Sequence, residues 1–140
     1  MALRGARAGF TTLELIVVVV LILTVLLMGL PGTLRTYETG RVQYAEAALE
    51  TVWTAQRLHR LYGGTFSADL QDLADKRLVP AGMAAGGPIW TFDVGFADRD
   101  SFTARASRQP GGGWSGAVFL DENGVLTGGS SHAFGQTVLP

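Results

Sequence analysis

The sequence predicts an α+β protein in which a long N-terminal helix packs through its second half on a small antiparallel sheet of about four strands. Three observations predict it. An aliphatic run fills residues 13–30, an apolar stripe at helical spacing follows over 42–56, and from Trp90 onward apolar and polar residues alternate. The run distorts the composition: 66 of 140 residues are apolar and 15 of these lie in 13–30. The other 122 residues hold 51, about 42%, below the ~45–50% usual for globular domains. Beyond the helices the length allows one modest head. There is no cysteine, which excludes disulfide staples and thiolate zinc sites. A net charge of −1 with mixed signs argues against a broad electrostatic footprint for nucleic acid or anionic lipid.

The first element is the aliphatic run. Eighteen residues at ~1.5 Å rise span roughly 27 Å, close to the ~30 Å hydrocarbon thickness of a bilayer, so the run is expected to cross a membrane. Before it, Arg4 and Arg7 are the only charges, and the positive-inside rule keeps this end cytoplasmic and exports the remainder. A secretory signal peptide would place a small-residue cleavage site just after the run, but Met28-Gly29-Leu30-Pro31-Gly32 has no such pattern. Glu14, one residue inside the run, is costly there and is a functional candidate by default, although a carboxylate can also snorkel to an interface.

Gly9-Phe10-Thr11-Thr12-Leu13-Glu14 followed by the unbroken aliphatic run closely resembles the prepilin signature of type IV pilins and type II secretion pseudopilins. The resemblance implies that a prepilin peptidase cuts between Gly9 and Phe10, that Phe10 becomes the N-methylated first residue, and that Glu14 is the family's acidic residue five places in. Residues 1–9 would then be the leader, 10–32 the transmembrane and polymerisation helix, and 33–140 the head. Implied partners are the peptidase, other copies and other pilins, an inner-membrane assembly platform with a cytoplasmic ATPase, and lipid before assembly. The physical logic agrees. The new amine stays mostly charged at neutral pH, and Glu14 of one subunit can pair with the Phe10 amine of a neighbour, offsetting desolvation and specifying register.

Pro31 between glycines cannot donate its backbone hydrogen bond and predicts a kink in a helix that continues, as the family commonly shows; ending at the membrane surface is the alternative. Val42, Ala45, Leu49, Val52 and Gln56 then form one stripe, with Ala48 and Ala55 beside it, until Gly63-Gly64. Glu46, Glu50, Arg57 and Arg60 face elsewhere. The stretch from Gly63 to Leu73 resembles the connector of many pseudopilins, with Ser67 capping a short helix that turns Leu70 and Leu73 inward. Residues 79–88 read as a Gly/Pro-rich loop. Strands are expected where Trp90, Phe92, Val94 and Phe96 alternate, where Phe102, Ala104 and Ala106 alternate, and at 117–120 and 125–127 around an Asn123-Gly124 hairpin turn. This α+β head is the architecture the family shows.

No catalytic constellation emerges. Gly113-Trp114-Ser115-Gly116-Ala117 is one residue from a nucleophile elbow, with Asp121 and His132 in hydrolase order, but a glycine loop entering a hairpin is the wrong context. His59 and His132 are isolated, and Asp121-x-Asn123-Gly124 lacks the remaining ligands of a calcium loop. Some pseudopilins hold calcium near their C-terminal loops, yet Gly128–His132 carries no carboxylate. No phosphate-binding Gly-Lys-Ser/Thr loop exists, so ATP hydrolysis would belong to partners. Trp53, Trp90 and Trp114 read as core aromatics rather than base-stacking platforms. The expectation is a non-enzymatic filament subunit without cofactor, single-pass in the bacterial inner membrane with a periplasmic head before it enters a pilus or pseudopilus for secretion, adhesion, motility or DNA uptake. The rival is a monomeric, single-pass membrane-anchored periplasmic binding or sensor domain.

Overall fold

The computed structural model of the chain describes residues 11–133 and 135–140, with the side chains of 28–34 outside the description. The leader 1–9 and the Gly9/Phe10 cleavage and methylation site therefore lie outside the described residues, as does the side chain of Pro31, while the helix itself runs on through Pro31 rather than ending there. The elements are helix α1 (Thr12–Gly63), short helices α2 (Leu70–Asp75) and α3 (Ala81–Ala84), and strands β1 (Trp90–Ala97), β2 (Phe102–Gly111), β3 (Trp114–Asp121), β4 (Leu126–His132) and β5 (Thr137–Val138). The chain divides into two compact units, Met1–Leu34 and Arg35–Pro140.

In the first unit the described side chains are those of residues 11–27. The expectation of a first half that spans a membrane is corrected: no helix among the described residues is long and apolar enough to cross one. With that correction the placement as a single-pass inner-membrane protein with a periplasmic head is also unsupported.

The second unit is a five-stranded antiparallel meander in the order β1-β2-β3-β4-β5, one strand more than expected. One face of the sheet and one face of α1 share a core. Val42, Ala45, Leu49, Val52 and Ala55 of the helix join Trp90, Phe102, Ala104, Ala106, Trp114, Val118 and Leu120 of the strands, with Leu70 and Leu73 of α2 at the side. The helix stops where Gly64 enters the left-handed region (φ 78°) and its N–H bonds the Arg60 carbonyl, a terminus that glycine allows without steric cost. Asp69, not Ser67, caps α2, accepting from Gln71 N at 2.9 Å. The Ser67 hydroxyl stands just ahead of the cap, accepting from Asp69 N at 3.3 Å and donating to Asp72 Oδ2 at 3.0 Å, and its backbone is held from α1. Gln56, fully buried on the helical stripe, donates from Nε2 to Ser67 O at 2.7 Å and accepts from Ser67 N at 2.8 Å. That clamp explains a polar residue in the stripe. Gln56→Leu is expected to cost about 1–3 kcal/mol in urea unfolding, because both Ser67 backbone groups would be left buried and unpaired.

The β1 alternation breaks at Phe96. Val94 pairs with Ala104 and Phe96 with Thr103, so Gly95 is an extra residue, and the bulge turns Phe96 out to 54% exposure. The 79–88 loop contains α3, and β2, β3 and β4 run beyond their expected ends. The 121–125 turn docks on α1. Asp121 Oδ1 accepts from Asn123 N and Val125 N, and Trp53 Nε1 donates to Glu122 O at 3.0 Å.

Candidate assembly surface

In the first unit, Thr11 and Glu14 stand in the spacing of a capping box. Glu14 N donates to Thr11 Oγ1 at 3.3 Å, so Thr11 caps α1 and Glu14 occupies the third helical position, where a carboxylate suits the positive end of the helix dipole. Glu14 thus has a local reason to be acidic besides any pairing with another subunit. It is the only charged residue in 13–27, and thirteen large aliphatic side chains of that stretch are all exposed. An apolar surface of this extent marks a site that meets another surface.

The second unit carries two linked features. The first is a buried ion pair absent from the sequence expectations. Arg108 Nε donates to Glu38 Oε1 at 2.9 Å and Nη2 reaches Oε2 at 3.4 Å, while Ser130 Oγ donates to the same Oε1 at 2.9 Å. Glu38 thereby ties α1 to both β2 and β4, and its side chain is only 1% exposed. Burial alone would raise the Glu38 carboxyl, but the hydrogen bonds from Arg108 and Ser130, the Arg108 charge and the bond from Arg41 outweigh it and hold it below the ordinary carboxylate range. A signal for both residues was present. Glu38 lies one turn before Val42 on the same stripe, and Arg108 continues the inward alternation of Phe102, Ala104 and Ala106.

The second feature is an apolar groove of about 650 Å³ between the α1 face of Tyr37, Gly40, Arg41 and Tyr44 and the segment from Pro80 to Phe92. Trp90 lines it, and its Nε1 is buried without a hydrogen-bond partner among the described residues. Arg41 at its side is half exposed and meets Glu38 Oε2 at 3.4 Å.

Residues that would make a hydrolase are not brought together. Ser115 and Asp121 lie six residues apart on β3, about 20 Å at strand rise. Asp121 spends its carboxylate on the turn, and His132 Nε2 lies 3.1 Å from Gly112 O. His59 contacts Asp72 and Lys76, but among the described residues no group of three or more His, Asp or Glu is arranged to hold a metal ion. Comparison with protein-family models gives no match, and neither does comparison with curated proteins.

Proposed function

We propose that this chain is a pilin-like structural subunit, cut by a prepilin peptidase between Gly9 and Phe10, N-methylated at Phe10, and polymerised through its N-terminal helix into a type IV pilus or a type II secretion pseudopilus. Its role is structural rather than catalytic. Its partners are further copies, other pilins, and an assembly platform driven by a cytoplasmic ATPase. The observation that carries the reading is the Gly9–Glu14 string leading directly into a helical stretch whose aliphatic side chains are uncovered and whose single charge is Glu14. Assembly side by side would cover that surface, at a driving force of roughly 25 cal/mol per Å² buried. Intact mass of the chain purified from its native cell tests the reading. A species beginning at N-methyl-Phe10 is expected, and a chain that keeps Met1 throughout its lifetime would defeat it.

A further inference from the structure

We propose that the groove beside α1 receives the Leu13–Leu27 stretch of a second copy of this chain, with Glu14 of that copy set against Arg41. The proposal rests on the assembly reading above and names where on the head the apolar helix docks. Four observations argue for this occupant.

The groove has a helical side of matching pitch. Tyr37, Gly40, Arg41 and Tyr44 stand at i, i+3, i+4 and i+7, and Glu14, Val17, Val18 and Leu21 repeat the same spacing, each set covering about 10 Å of helix. Gly40 leaves a gap between the two tyrosines. A Cβ built there meets nothing within 4 Å, so a second helix can approach this backbone closely. The charges are complementary. Arg108 and Ser130 already hold Glu38 Oε1 at 2.9 Å each, whereas Arg41 meets Oε2 only at 3.4 Å and is 44% exposed, so its guanidinium keeps donors for a second carboxylate. Glu14 is the one acidic group on the apolar stretch. Finally, both the groove and the stretch are apolar surfaces that the described residues leave open.

The absence of native cysteine makes the test direct. Full-length chains carrying V18C alone are mixed with chains carrying G40C alone, allowed to assemble, and oxidised; T51C, exposed on α1 outside the groove, replaces G40C as the control. The expected result is a covalent V18C–G40C heterodimer at about ten times the control yield, and R41E lowering that yield about tenfold in the G40C chain. Combining R41E in the G40C chain with E14R in the V18C chain is expected to restore it to within about threefold. Assemblies that form normally with no V18C–G40C product above control overturn the groove and leave the assembly reading intact. So does a product insensitive to R41E, or one that charge reversal on both sides fails to restore. Failure of the unsubstituted chain to assemble at all defeats the assembly reading itself.

Discussion

Truncating Arg108 to alanine is expected to lower stability by about 3–5 kcal/mol at neutral pH, among the largest losses any single substitution in the head would cause. The size comes from what is left behind. Glu38 would remain buried between α1 and the sheet with Ser130 and the longer contact to Arg41 as its donors among the described residues, and an ionised carboxylate so placed is far costlier than the paired one. Glu38→Ala is expected to lose a similar amount by orphaning Arg108, which would keep only its bonds to the Gln109 and Ile89 carbonyls. Replacing both at once, as E38M/R108L, is expected to restore stability to near the parent or above it, because two well-packed apolar side chains avoid both desolvation costs. Urea unfolding followed by tryptophan fluorescence measures all three, since Trp53, Trp90 and Trp114 all lie in the second unit.

The same pair sets an acid limit. The Glu38 carboxyl is held below its ordinary value in the folded state, so it contributes stability above the unfolded pKa of about 4.3, and that contribution is lost as pH falls through the lower folded value. The parent should therefore keep this contribution above about pH 5 and lose it progressively as pH falls below the unfolded value of about 4.3. In the Arg108→Ala variant the lost partner lets burial dominate, and protonation of Glu38 becomes a relief. The stability gap between parent and variant is expected to narrow as pH falls. A gap that stayed constant from pH 7 to pH 3 would mean that the pair contributes packing rather than charge.

How far this site was legible in the sequence depends on one assumption about stripes. The period that runs through Val42, Ala45, Leu49, Val52 and Gln56 places Glu38 on the buried face, and the alternation of β2 places Arg108 there. Both are charged, so an apolar pattern ends before it reaches them, though opposite charges at the ends of two stripes that pack together are what a buried pair requires. Gln56 shows the opposite case, a polar residue legible by position whose partner, the Ser67 backbone, only the fold supplies. The outward turn of Phe96 follows from the extra residue Gly95, and alternation alone gives no sign of a bulge. Glu14 was conspicuous as a charge in an aliphatic run, whereas its place at the third position of α1 follows from Thr11 three residues earlier. The groove was not legible, because its two walls lie some forty residues apart in the chain.

A strand was expected at 125–127, but the rest of β4 and all of β5 were not, for a reason that leads to the second large effect. Gly128-Gly129-Ser130-Ser131 has the composition of a loop, yet it forms most of β4, and its glycines are where strands approach too closely for any side chain. Gly116 (φ 148°), Gly128 (φ 95°) and Gly129 (φ 144°) all occupy backbone conformations that favour glycine. A Cβ at each would press into a backbone carbonyl oxygen, that of Gly129, Ala117 and Val138 respectively. Backbone cannot swing aside as a flexible side chain can. Gly128→Ala is accordingly expected to cost about 2–4 kcal/mol, combining the forced conformation with the clash. Gly40→Ala, in the middle of α1 with open space around it, is expected to gain about 0.5–1 kcal/mol in the same urea titration.

Gly116 joins this effect to the buried pair. Trp90, Arg108, Gly116, Ser130 and Val138 are successive partners in one row across the five strands. Gly116→Ala would push β4 away from β3 at the Gly129–Ser130 peptide, and Ser130 is the β4 donor to Glu38. The substitution should therefore destabilise the head and loosen the pair together. In a double-mutant cycle, Arg108→Ala is expected to cost at least 1 kcal/mol less in the Gly116→Ala background than in the parent, a coupling of the size seen between residues of one network. Strict additivity would mean that β4 reaches Glu38 without help from the glycine row.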